Sequence, residues 1–185
     1  MTIKEQRSEP RVRPDAVKVF CQLWIAGIIL ELVHQVLSII MSAVDPSQLR
    51  EQVVEQAKQQ NMPLPEDMLS MITVLAFVFM GVIALIVALV LAFATQRVHR
   101  GTKRSGVARS LLTFFSIYFV LRLVLVMLSS PQGTAVPLAL FAVDGSVQII
   151  VGVIGALAMY CGRREETLRW TGEWQMIENL RRGGK

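Results

Sequence analysis

Cysteine, histidine and charge are scarce in this chain. Its 185 residues hold two cysteines, two histidines and 18% charged side chains. A soluble domain usually carries about 25% charged residues, so an ordinary cytosolic enzyme is disfavoured. With no C-x-x-C pair, a thiol–disulfide oxidoreductase is disfavoured too. Two histidines, His34 and His99, are too few and too separated for a bis-histidine haem or an H-E-x-x-H site. No G-x-S-x-G, Walker or G-x-G-x-x-G pattern occurs. Asp144-Gly145-Ser146 contains a serine, but no histidine lies near it in sequence. No catalytic residue, metal or cofactor is therefore expected, and the chain reads as non-enzymatic.

What is abundant is apolar sequence. Hydrophobic residues make up 53% of the chain, and the mean hydropathy is +0.50. These residues come in long blocks, the pattern of a multi-pass membrane protein. The expected fold class is all-α, a four-transmembrane-helix bundle. Its spans fall at about 17–44, 68–94, 110–129 and 136–161. Residues 1–16 read as a flexible cytoplasmic arm. The first apolar run follows that charged arm and is long enough to span, so a cleaved signal peptide is not expected. Asp45 and Pro46 suit the start of a new helix. Leu49, Val53 and Ala57 then recur at helical spacing, predicting a short amphipathic helix over 46–60 outside the bilayer. Asn61 to Pro65 breaks it. The second span has no charge; at ~1.5 Å per residue it exceeds a ~30 Å hydrocarbon core.

The formal net charge of +5 fits a membrane protein better than a nucleic-acid binder. Lysine and arginine number five through Lys18, two in 45–67 (Arg50 and Lys58), five in 95–109, none in 129–136 and six in the tail. This alternation places both termini in the cytoplasm of a plasma-membrane protein. Asp45, Glu51, Glu55, Glu66 and Asp67 leave the first outer loop net acidic. Cys21 and Cys161 lie near cytoplasmic span ends and are expected to stay free thiols. No internal repeat of the inverted-transporter kind is evident.

A charge at the bilayer centre costs ~2.5–3.5 kcal/mol on insertion scales, so Glu31, Arg122 and Asp144 each need a partner. Arg122 and Asp144 lie at similar depth on spans joined by a short turn, at ~1.5 Å per residue. They are therefore the expected ion pair, with a bidentate geometry open to the guanidinium. Glu31, His34, Gln35 and Gln148 form the expected polar cluster beside it. Glu31 is placed near Gln148, and His34 near the level of the pair. The structural reading is a lock on helix register; the functional reading is a proton or ion relay, or an anion site. Gly81, Ala84, Ala88 and Ala92 in span two, and Gly152 and Gly155 in span four, have the small-residue spacing of close helix contact.

Arg97, Arg100, Lys103, Arg104 and Arg109 form a basic loop over 95–109 facing anionic lipid. In the 162–185 tail, Trp170, Trp174 and Ile177 recur among Arg163, Arg164, Arg169, Arg181 and Arg182, predicting an interfacial amphipathic helix.

Gly101-Thr102-Lys103-Arg104, followed by Gly106-Val107-Ala108-Arg109-Ser110-Leu111-Leu112-Thr113, resembles a feature of small four-span membrane proteins of actinobacteria. There a basic turn with an Ala-Arg pair leads into a leucine- and threonine-rich span. Val107 stands where those proteins often carry tryptophan. The resemblance covers about 95–128 and implies a bacterial plasma-membrane protein without a defined active site. Glu31 in the first span is also similar to the glutamate of small multidrug exporters, but this chain is much longer, has an extra charged loop and carries Arg122 inside a span.

The leading expectation is an interaction or accessory subunit of a larger envelope or respiratory assembly, with a membrane-protein partner or a homo-oligomer. The alternatives are a proton-coupled transporter using Glu31 and a lipid-binding or lipid-modifying protein using the basic cytoplasmic face.

Overall fold

A computed structural model describes residues 12–59, 65–102, 104–128, 135–174, 178–179 and 182. The arm through Arg11, residues 60–64 and 129–134, Lys103, Ile177 and Arg181 lie outside the described residues, as do the side chains of Leu49, Glu66 and Asp67. The described chain is all-helical, with α1 Asp15–Val44, α2 Ser47–Gln59, α3 Glu66–Arg100, α4 Ser105–Leu128, α5 Leu138–Arg163 and α6 Glu165–Thr171. Helices α1, α3, α4 and α5 are each long and apolar enough to cross a membrane.

The helix ends follow local chemistry. Asp45 precedes Pro46, which disfavours helical backbone before it, and Asp45 is extended at φ −135° and ψ 90°. Its Oδ1 then accepts from the backbone N–H and hydroxyl of Ser47, at 3.1 and 2.6 Å, opening α2. Helix α3 ends at Gly101, which is left-handed at φ 60°, a conformation glycine takes without a Cβ penalty. Arg97 and Arg100 occupy its last turn, where cations complement the helix dipole.

The expected loop over 95–109 is thus mostly helical. Thr95–Arg100 continue α3, and Ser105–Arg109 begin α4. Basic residues mark where the chain leaves an apolar layer, but none of them breaks a helix; Gly101 does.

Helix α1 packs against α5 and α3, and α4 packs against α5 and α3. Packing is densest toward the end nearest the α3–α4 turn. There Val17, Phe20, Cys21 and Trp24 meet Leu91, Ala94 and Val98 of α3, Leu112 of α4 and Ala158 of α5. Toward the α2 end the core thins, and no residue of α1 beyond Ile28 is fully buried. Helix α2 lies against α3, with Ala57 buried.

Small residues set the α4–α5 contact. A Cβ on Gly152 would lie 2.5 Å from Leu123 Cβ, and one on Gly155 would lie 3.0 Å from Phe119 Cβ. A Cβ on Gly27 would meet Ile154 of α5 at 3.3 Å. The expected packing stripe of span two is different. Ala88 is buried and Ala84 is half-buried, but Ala92 is exposed, and a Cβ on Gly81 would meet nothing within 4 Å.

Candidate functional site

The ionisable groups of three long helices converge just beyond the packed end. Glu31 and His34 are one turn apart on α1, on one face. Arg122 of α4 donates to Glu31 from both terminal nitrogens, Nη1 to Oε1 at 2.8 Å and Nη2 to Oε2 at 2.6 Å. Gln35 donates to Glu31 Oε1 at 3.4 Å. The guanidinium carbon also stands 5.5 Å from the Phe119 ring centre and 5.8 Å from that of Tyr118, within cation–π range. His34 Nδ1 donates to Asp144 Oδ1 of α5 at 2.6 Å, and Gln148 Nε2 donates to Asp144 Oδ2 at 2.6 Å. Asp144 is buried, and the Glu31 and Arg122 side chains are 18% and 14% exposed.

The expected Arg122–Asp144 pair is therefore corrected. Arg122 pairs with Glu31, and Asp144 pairs with His34. Helix rotation turns the two residues toward different partners. Helix α4 turns Ser116, Phe119 and Leu123 toward the glycines of α5. Arg122 lies one residue, ~100° of helix turn, from Leu123, and so faces α1. Gln148 likewise bonds to Asp144 one turn away, not to Glu31. The outcome is two parallel locks, α1 to α4 and α1 to α5.

The basic end is organised by contacts that the sequence reading missed. After α6, Gly172 is left-handed at φ 80°, and the chain turns Glu173 back toward α4. Arg109 grips Glu173 with Nε and, at 3.0 Å, with Nη2; its Nη1 donates to Gly162 O at 3.2 Å. Thr171 and Ser110 also donate to Glu173, at 2.9 and 3.5 Å. Burial alone would raise the Glu173 carboxyl, but the hydrogen bonds and charge of Arg109, with those hydroxyls, hold it below the usual glutamate range.

Trp170 Nε1 donates to Val98 O at 2.8 Å, and its ring covers Gly101, where a Cβ would lie 2.8 Å away. A Cβ on Gly106 would lie 3.0 Å from the Glu173 side chain. Gly101, Gly106 and Arg109, read in sequence as a basic turn, thus form the seat of the tail.

Two expectations change as a result. Arg109 and Trp170 are engaged by the chain itself, and the expected tail helix is interrupted at Gly172, with Thr167, Leu168 and Thr171 buried in α6. Arg100 and Arg104 are exposed, Arg97 lies over the Phe93 ring at 4.7 Å, and Trp174 carries Arg169 over its ring at 5.4 Å. Two further ties were missed. Arg13 donates to His99 at 2.6 Å, and Asp45 Oδ2 accepts from Ala135 N at 2.8 Å, joining the α1–α2 corner to the approach to α5.

Tyr118 stands four residues before Arg122, so its ring contact was within reach of helical spacing. Glu173 sits 64 residues from Arg109, and no local pattern marks it. Among the described residues, no three His, Cys, Asp or Glu side chains group to hold a metal. Comparisons with protein families, with curated proteins and with solved structures find no match for this chain.

Proposed function

We propose that this chain is a non-enzymatic, multi-pass membrane protein that acts as an interaction or accessory subunit of a larger envelope or respiratory assembly. In this reading it sits in a bacterial plasma membrane with both termini cytoplasmic, as a four-helix bundle with α2 as an outer amphipathic helix. Arg13, Lys18, Arg97, Arg100, Arg104 and Arg163 all stand at the α3–α4 turn end, which supports that orientation.

The observation that carries the reading is the open face of α3. This helix is the most apolar of the four, yet its apolar window is 11% buried, against 17–22% in the others. Met71, Val74, Leu75, Val78 and Phe79 are all exposed along it. Meanwhile the ionised groups close on one another inside the chain. A partner helix packing on α3 would need no polar complement, only shape.

Co-purification in mild detergent, with mass spectrometry and crosslinking from cysteines placed at positions 74 and 78, tests this. A partner or second copy crosslinked through α3 is expected. A chain that elutes alone at every expression level, without such crosslinks, overturns it.

A second reading, proton-coupled transport, is favoured by the convergence of titratable groups on α1. The geometry moves its emphasis from Glu31, whose carboxylate is held by Arg122, to the His34–Asp144 pair. pH-driven flux in liposomes that survives both Glu31→Gln and Asp144→Asn would exclude it.

A further inference from the structure

Between α1, α3 and α4 lies a cleft of about 310 Å³, the lower end of the size range of small-molecule sites. Its walls are graded. The floor, formed by Ile28, Ala88, Leu91 and Phe119, is buried and wholly apolar. The mouth is formed by Met80, Ile83 and Tyr118, which are 44–58% exposed. Because α1 and α3 run in opposite directions, Gln35 stands level with Met80 and Ile28 with the stretch toward Leu91. The cleft therefore runs ~16 Å along the helices, with Glu31 and Gln35 toward one end, Tyr118 on its rim, and only hydrocarbon side chains around Ala88 and Leu91.

The charge at that polar end is already balanced. Arg122 takes both oxygens of Glu31, and Gln35 takes a third acceptor position. A carboxylate has roughly four such positions, so one remains. A ligand bearing a full charge would add an uncompensated ion within the apolar span, at ~2.5–3.5 kcal/mol. A hydroxyl adds none. It can donate to the remaining carboxylate position, and the Gln35 amide offers its oxygen as acceptor and its second N–H as donor.

Small side chains make the space. Ala84 lines the cleft at the level of Glu31, where a leucine would fill it. This assigns a use to part of the small-residue stripe that helix packing leaves unexplained.

We propose that this cleft binds an uncharged lipid whose head carries a free hydroxyl, with the head at Glu31 and Gln35 and the tail along Ala88 and Leu91. The site opens sideways to the lipid, so such a molecule enters from the bilayer. The inference does not depend on a protein partner.

The test uses the full chain in lipid nanodiscs with photoreactive probes that share one tail: a long-chain alcohol, the matching carboxylic acid and the matching primary amine. The alcohol is expected to label α3 between Met80 and Leu91 and to be displaced by unlabelled alcohol. The acid and the amine should label at least about tenfold less, as the cost of an unpaired charge implies. Gln35→Leu, which leaves the Glu31–Arg122 pair in place, should weaken alcohol labelling severalfold; Ala84→Leu should abolish it. If Ala84→Leu does not fold, Gln35→Leu still decides. Equal labelling by the charged probes, crosslinks outside the cleft, unchanged labelling in a folded Gln35→Leu or Ala84→Leu protein, or no labelling by the alcohol each overturns the proposal.

Discussion

Arg122 holds Glu31 through two hydrogen bonds of 2.8 and 2.6 Å across 91 residues of sequence, tying α4 to α1. Both side chains are mostly buried, so each is the other's main compensation in an apolar setting. Removing one partner of such a pair typically costs ~3–5 kcal/mol in a protein interior. Arg122→Ala and Glu31→Ala should each lower thermal stability in detergent by a large fraction of that figure. The double substitution to apolar residues should cost less than the sum. The same cycle run on Arg122 with Asp144 should show clearly less coupling, because those residues share no direct bond. Coupling in the second cycle and none in the first would show that the helices are rotated differently.

The His34–Asp144 contact makes a separate prediction. His34→Ala leaves Asp144 buried with Gln148 as its remaining side-chain partner. A buried acceptor stripped of one partner costs ~1–3 kcal/mol. Asp144→Asn keeps the shape and can still accept from His34, so it should cost less than Asp144→Ala. Thermal unfolding of the three variants checks the order; equal losses for Asn and Ala would mean that the acceptor bond to His34 which Asn retains carries no stability.

How far these contacts were legible differs from one to the next. The four long helices follow from apolar blocks, which need no tertiary information. Membership of the polar centre was legible too, since Glu31, His34, Arg122 and Asp144 are costly in lipid and must meet. Their pairing was not. Counting residues gives depth, but azimuth is set by which face of α4 the α5 glycines admit. The same gap affected the tail: periodicity of Trp170 and Trp174 suggested one continuous helix, while Gly172 turns the chain so that Glu173 reaches Arg109. Glu173 is one of four acidic residues after Arg164, and nothing in its neighbours distinguishes it.

That clasp should respond to pH. The folded carboxyl of Glu173 sits below its ordinary value, which is near ~4.3 in an unfolded chain. A depressed acid contributes its stability fully above the unfolded value and loses it as pH falls through the folded one. Cleavage of the tail by an acid-tolerant protease should therefore be steady near neutrality and rise on acidification below ~4.3, and hydrogen-exchange protection over 165–174, taken relative to the intrinsic rate at each pH, should fall in the same window. Glu173→Gln should loosen the tail at neutral pH and flatten that rise. A wild-type tail whose cleavage and protection do not change across this window would mean that Arg109 and Glu173 do not hold it.

Glycine substitutions separate real helix contact from mere small-residue spacing. An alanine at 152 would put a Cβ 2.5 Å from Leu123 Cβ, and a Cβ cannot swing away as a side-chain tip can. Helices α4 and α5 must then separate, and overpacking of this kind costs ~1–3 kcal/mol. An alanine at 81 would meet nothing within 4 Å and would gain helix propensity, worth up to about 1 kcal/mol. An alanine at 101 meets both penalties, the Trp170 ring at 2.8 Å and a backbone at φ 60°, so it should free the tail as well as strain the turn. In thermal unfolding the expected order is therefore Gly81→Ala at or above the parent, with Gly152→Ala and Gly101→Ala clearly below it. Only Gly101→Ala should also speed hydrogen exchange over α6. If Gly81→Ala were as damaging as Gly152→Ala, α3 would have to pack against a surface that the described residues do not supply. That result would also be the first physical sign of the partner proposed for its open face.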